Sequence, residues 1–191
     1  IESFIACADE LGTNKDYLTD LALWSGFYAF GKAELLAINI HEAYLNGDRE
    51  KAEAMETRFF DLMSRADRFF EMNPVTRLER WVDFARSWGD TEAEKDSYEI
   101  DSKRLVTTWG QGKRHDGLND YGCKMWSGLI RDYYIPRWKH YFDSQKEGRP
   151  FDFDAWEYRF AEETRGVSEA EKITDLVAEA KKLVEDARDI T

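Results

Sequence analysis

The apolar residues of this 191-residue chain recur at three- and four-residue spacing almost from end to end, and only three prolines interrupt them. A helix brings positions i, i+3, i+4 and i+7 onto one face, so this period commits the chain to amphipathic helices stacked on one another. Ala, Leu, Glu, Lys and Arg, which lose little rotamer freedom in a helix, occupy many of the remaining positions.

Local stop signals divide the pattern. A first helix is expected over residues 1–10, ended by Gly12-Thr13-Asn14, whose polar side chains can cap the next. The second carries Tyr17, Leu21, Trp24, Phe27, Phe30, Leu35, Ile38 and His41. It stops at Asn46-Gly47-Asp48, because Gly and Asn accept the left-handed conformation that closes many helices. Asp48 is placed to cap a third, with the face Ala52, Met55, Phe59, Leu62, Met63, Ala66 and Phe69, which must end before Pro74. A fourth spans 78–88 and ends at Gly89; Thr91 and Glu94 then form a capping-box pattern for a fifth over 92 to 107. The sixth is expected from 118 to 144 with a kink or restart at Pro136, and Asp152 or Asp154 caps a seventh. Ser168 and Glu171 box an eighth, with the stripe Ile173, Leu176, Val177, Ala180, Leu183, Val184 and Ala187. With no strand pattern, fixed-period repeat or low-complexity linker, the expectation is an all-α fold. It is an irregular multi-helix bundle of about seven or eight helices, one domain over 1–191.

The charge balance narrows the partners. Thirty-nine acidic against 27 basic residues give a formal net charge of −12, which leaves no surplus of cations to displace phosphate counterions. General binding to nucleic acid or to an anionic membrane is therefore not expected. No run of about eighteen apolar residues is present, so no membrane span is expected. The opening IESFIACADEL is amphipathic rather than a charged and then apolar signal, and without an initiator Met the chain reads as part of something longer. Cys7 and Cys123 have neither CxxC spacing nor histidines at zinc-ligand intervals, so neither a metal nor another cofactor is expected.

Motifs for catalysis fail one after another. His41-Glu42 begins an HExxH pattern, but the second histidine position is Leu45. None of His41, His115 and His140 has Glu three residues before it, as a di-iron bundle would require. There is no GxSxG elbow, and Gly110-x-Gly112 follows a helix rather than a strand. Pairs such as Asp116 with Asp120, or Glu157 with Glu162, could flank a glycosidic bond, but a chain this acidic produces such pairs by chance on solvated helix faces.

One segment does not read as packed helix, residues 109–121. Trp109, Gly110, Gly112, Gly117, Leu118, Tyr121 and the following Gly122 combine backbone freedom with broad apolar faces that can stack on sugar rings. Composition leaves open an ordinary interhelical connection in which Trp109 and Tyr121 fold back onto the core.

The residues on either side carry a resemblance. RLVTTWG, followed by LNDYGCKMWSGLIRDYYIPRW, is similar to the C-terminal helical domain of the α-N-acetylglucosaminidases, glycoside hydrolase family 89. The elements that carry it are Trp109-Gly110, Leu118, Asp120-Tyr121, Gly128-Leu129 and Asp132-Tyr133-Tyr134-Ile135-Pro136-Arg137-Trp138, with weaker likeness from Asp16 to Leu21 and around Arg80-Trp81-Val82. It implies a larger enzyme with an upstream (β/α)8 barrel, hydrolysing glycans that end in α-linked N-acetylglucosamine with retention. The catalytic glutamates belong to the barrel, so no catalytic residue is expected in this chain. Carried over position by position, Trp109, Leu118 and Tyr121 wall part of the sugar pocket. The charged tip Lys113-Arg114-His115-Asp116 departs from the pattern expected of lysosomal members. The implied location is lysosomal in animals and exported in bacteria. The rival is an all-α carbohydrate-binding or interaction module with no enzymatic parent.

Overall fold

In the computed structural model the described residues are 1–109, 120, 123–164 and 166–191. Among them are nine α-helices: α1 (Glu2–Ala6), α2 (Ala8–Leu11), α3 (Lys15–Leu45), α4 (Arg49–Glu71), α5 (Leu78–Arg86), α6 (Glu92–Val106), α7 (Ile135–Glu147), α8 (Phe153–Glu162) and α9 (Leu176–Asp186). A 3-10 turn, Pro74–Thr76, follows α4, and a π-helical stretch, Ile130–Tyr134, precedes α7. Strands are absent among the described residues, so the fold is all-α, with one isolated bridge between Arg77 and Ser127.

The chain forms two compact units, one of Ile1–Thr76 with Ala170–Thr191 and the other of Arg77–Glu169. The first is organised around α3 and α4. Asn14 caps α3 by accepting from the amides of Asp16 and Tyr17, Gly47 turns the chain at φ 75°, and Asp48 caps α4 through the amide of Lys51. On the buried side of α3 the residues are mostly small, among them Ala22, Ser25, Gly26, Ala29, Ala33 and Ala37; α4 contributes the larger Phe59, Leu62, Met63, Phe69 and Phe70. A Cβ on Gly26 would lie 2.9 Å from Phe70 Cζ, so the missing side chain is what admits that ring. Each fully buried large side chain contributes about 1.5–3 kcal/mol. The helix α9 buries Leu176, Ala180, Leu183 and Val184, and the nearly buried Arg65 of α4 pairs with its Glu179 and Asp186 at 3.1 and 2.8 Å.

Three expectations differ from the sequence reading: the first helix, read as one over 1–10, is two short helices that meet at Cys7, and two later boundaries move. The last helix starts at Leu176 under an Asp175 cap rather than at a Ser168–Glu171 box. Ser168 is engaged elsewhere: its amide and hydroxyl both donate to Asp132, while Glu171 reaches Arg68 at 3.7 Å. The expected sixth helix is delayed. Residues 123–126 are not helical, and Ser127 accepts from the Leu78 amide at 2.9 Å. The expected restart near Pro136 takes the form of the π-helical stretch, where the Ile135 amide reaches back to the Ile130 carbonyl. Proline has no amide to return to residue 132 and its ring crowds that carbonyl; widening the preceding turn accommodates both. The capping box of α6 forms as read, with Thr91 and Glu94 satisfying each other's amides.

Candidate functional site

The second unit holds Trp109 and Asp120, the described residues of the segment that does not read as packed helix in the sequence. At the end of α6, Thr107 donates its hydroxyl to the Lys103 carbonyl at 2.8 Å, and the Trp109 amide reaches the Arg104 carbonyl at 2.6 Å. Trp109 then takes φ 60°, a conformation disfavoured for bulky side chains, and remains 43% exposed. Across the segment, Asp120 at φ 57° donates its amide to the Thr107 carbonyl at 2.6 Å, and Cys123 at φ 35° donates to the Asp120 carbonyl at 2.7 Å. These three are the non-glycine residues at positive φ among the described residues, and each such conformation costs about 1–3 kcal/mol that its surroundings must offset. Leu118 and Tyr121, with Gly110, Gly112, Gly117, Gly122 and the tip Lys113–Asp116, lie outside the described residues.

Beneath these ends sits a buried polar cluster. Arg137 of α7 donates one nitrogen to Asp120 Oδ2 at 2.7 Å and the other to Glu157 Oε1 of α8 at 2.7 Å and to the Tyr133 hydroxyl at 2.9 Å. The Tyr133 hydroxyl in turn donates to Asp120 Oδ1 at 3.0 Å. The guanidinium lies over the ring of Tyr133 at 4.6 Å and of Tyr134 at 5.3 Å. Burial opposes the charge of Arg137, yet Tyr133, Asp120 and Glu157 together hold its pKa above the ordinary arginine value. Burial also pushes the Tyr133 and Tyr134 hydroxyls well above the usual phenol range, which keeps both protonated and Tyr133 available as a donor.

A second cluster fixes α6. Glu99, 1% exposed, pairs with Lys103 at 2.6 Å and with Arg86 of α5 at 2.8 Å, and accepts from the Gly166 amide at 3.3 Å. Lys103, 2% exposed, also donates to the Glu163 carbonyl and lies 5.6 Å from the centre of the Phe160 ring. The turn before the π-helical stretch depends on Gly128, at φ 84°, where a Cβ would stand 2.7 Å from Val167 Cγ1 and 3.1 Å from Leu78 Cβ. Gly128→Ala is expected to cost about 2 kcal/mol through the strained backbone and the overpacking together, read as a lower urea midpoint at unchanged slope. A midpoint equal to that of the parent chain would show that the contact yields.

This arrangement can hold a surface in place. Asp120 and Glu157 are both committed to Arg137, and Glu162 faces Arg104 at 3.4 Å, so Glu157 and Glu162 are each engaged by a different arginine; Asp116, weighed with Asp120 from the sequence, lies outside the described residues. His140 is taken up in a ring stack with Phe151 at 6.3 Å. Among the described residues no three His, Cys, Asp or Glu side chains converge as metal ligands, and no helix is long and apolar enough to cross a membrane. In the first unit an open depression of about 420 Å³ is lined by Ile1, Phe4, Trp24, Phe27 and Tyr28, which offer no carboxylate or imidazole. Sequence reasoning missed the Glu99–Lys103 and Arg137–Glu157 pairs. The available signal was charge on faces otherwise occupied by aromatic and aliphatic residues, with Glu99 and Lys103 one helical turn apart.

Comparison with known proteins gives one consistent picture. A family model described as the α-N-acetylglucosaminidase (NAGLU) C-terminal domain matches residues 1–186. The human α-N-acetylglucosaminidase is 32% identical over 96 residues, 48% of this chain and 12% of that protein. The family 89 glycoside hydrolase of Clostridium perfringens, solved with 2-acetamido-1,2-dideoxynojirmycin, superposes over 97% of this chain at TM-score 0.85 and 26% identity. A variant of that enzyme in complex with its substrate GlcNAc-α-1,4-galactose matches 96% of the chain at TM-score 0.85 and 28% identity. The chain spans 23% and 22% of the length of those two structures.

Proposed function

Since this chain belongs to the α-N-acetylglucosaminidase C-terminal domain family, we propose that it works as the helical part of a larger glycoside hydrolase that removes terminal α-linked N-acetylglucosamine from glycans. In this reading it walls one side of the sugar pocket with Trp109, Leu118 and Tyr121, while an upstream (β/α)8 barrel supplies the two glutamates of a retaining mechanism. Such a mechanism needs two carboxyls about 5 Å apart, one as nucleophile and one as acid and base. Asp120 and Glu157, each held by Arg137, are poor candidates for either role. The compartment that goes with this reading is the lysosome or the cell exterior.

The observation that carries it is Trp109, a large apolar side chain left 43% exposed on a strained backbone whose neighbours are tied down on both sides. A ring folded back into the domain's own core would be hidden; this one is not. A second support comes from the first unit. Trp24, Phe27, Leu35, Ile38 and Leu45 of α3 are all exposed, and at 3.6 residues per turn they share a face about 80° wide, away from the buried small residues. A helix apolar on two faces fits one that meets further protein, here the remainder of the larger polypeptide. That support, and a family match running through residue 186, weigh against a stand-alone binding module.

In the full-length enzyme, Trp109→Ala is expected to lower kcat/KM for an aryl α-N-acetylglucosaminide by about 1–3 kcal/mol of lost contact, roughly five- to 150-fold. The separate chain should not turn that substrate over. Unchanged kinetics in the variant, or turnover by the separate chain, would remove the basis for the pocket-wall role.

A further inference from the structure

We propose that the Asp120–Arg137 ion pair is a positioning device for Trp109, setting where its ring meets the sugar; this rests on the pocket reading above. The path is continuous. Glu157, fully buried, and the face of Tyr133 fix Arg137. Arg137 and the Tyr133 hydroxyl then take one carboxylate oxygen of Asp120 each, at 2.7 and 3.0 Å. With its side chain held, Asp120 presents its amide to the Thr107 carbonyl at 2.6 Å, two residues before Trp109. The Trp109 amide is itself fixed to Arg104, so the turn that aims the ring is gripped on both sides.

Two features argue for aim rather than simple stability. Asp120 and Trp109 both take left-handed backbone conformations, and such strain persists only where surrounding contacts over-determine it. The side chain at the end of the path is half-exposed, so the grip adds no core packing there, whereas Tyr133, Arg137 and Glu157 that supply it are nearly or fully buried. Pre-organising a contact surface lowers the ordering cost at binding, and the gain appears in substrate affinity before it appears in the chemical step.

The test uses the full-length enzyme and the same aryl glycoside. Asp120→Asn keeps the shape and tolerates the left-handed backbone but loses the charge that Arg137 grips. It is expected to raise KM roughly fivefold with kcat little changed. Arg137→Lys, which lacks the fork needed to reach Asp120 and Glu157 together, should do the same and serves if Asp120→Asn does not fold. In the Trp109→Ala background the Asp120→Asn change should add almost nothing, because the group it positions is gone. If Trp109→Ala raises KM and neither positioning variant does, the device is refuted while the pocket reading stands. An additive double variant also refutes it, by showing that Asp120 acts through another group. If Trp109→Ala leaves kcat/KM unchanged, the pocket reading fails and this inference with it.

Discussion

Arg137→Met should lower the unfolding free energy of this chain by about 3–5 kcal/mol, the range for breaking one side of a buried ion pair. Met fills much of the arginine stem, so the loss is one of charge and hydrogen bonding more than of volume. The guanidinium now joins Asp120, Glu157 and Tyr133 at 2.7 to 2.9 Å, and Glu157 is fully buried, so a carboxylate deprived of this countercharge has no water close by to replace it. Asp120, with a side chain 25% exposed, can recover part of its solvation. Urea unfolding followed by circular dichroism would read the change as a shifted midpoint. Adding Glu157→Leu to Arg137→Met should recover part of the loss, since removing both charges is cheaper than stranding one. A single-variant loss under about 1 kcal/mol would show that the cluster is solvated or rearranges.

Glu99→Gln is the second large change, expected to cost about 3 kcal/mol. The substitution keeps the volume and lets the side chain go on accepting from the Gly166 amide, but Lys103 and Arg86 then face a neutral amide. Arg86 retains Asp96 at 2.7 Å and Glu92 at 3.2 Å and is partly exposed. Lys103 is not exposed, and its remaining hydrogen bond on the described residues is to the Glu163 carbonyl. A buried ammonium that loses its carboxylate partner carries the larger part of the loss, because its desolvation is no longer offset. Urea unfolding would read the change as a lowered midpoint at unchanged slope, and a loss under about 1 kcal/mol would show that the cluster is solvated or rearranges.

The helices were legible because their signals are local. Asn14, Asp48, Thr91 with Glu94, and Asp152 each accept from an amide within a few residues, and Gly47 and Gly148 close helices where glycine at positive φ costs least. The Ser168–Glu171 box failed for a tertiary reason. The pattern exists, but Asp132 and Arg131, some 36 residues away in sequence, claim Ser168 first. The late start of the helix before Pro136 has a similar origin, since Ser127 pairs with the Arg77–Leu78 segment and Gly128 is needed where Val167 approaches.

The sequence by itself determined the all-α class, most helix ends and, through resemblance, the family, and it singled out Trp109 as a candidate. These follow from hydrogen bonds and side-chain spacings that close within one or two turns, or from motif identity. Only the tertiary structure decided the roles of Asp120, Arg137 and Glu157. Their partners come from α7, α8 and the far end of the segment after α6, at separations of 17 and 20 residues that no helical period relates. Whether a charged residue lies in water or in a low-dielectric interior decides whether it is a solvated surface group or a fixed strut. That is set by which helices pack around it, not by its place along the chain.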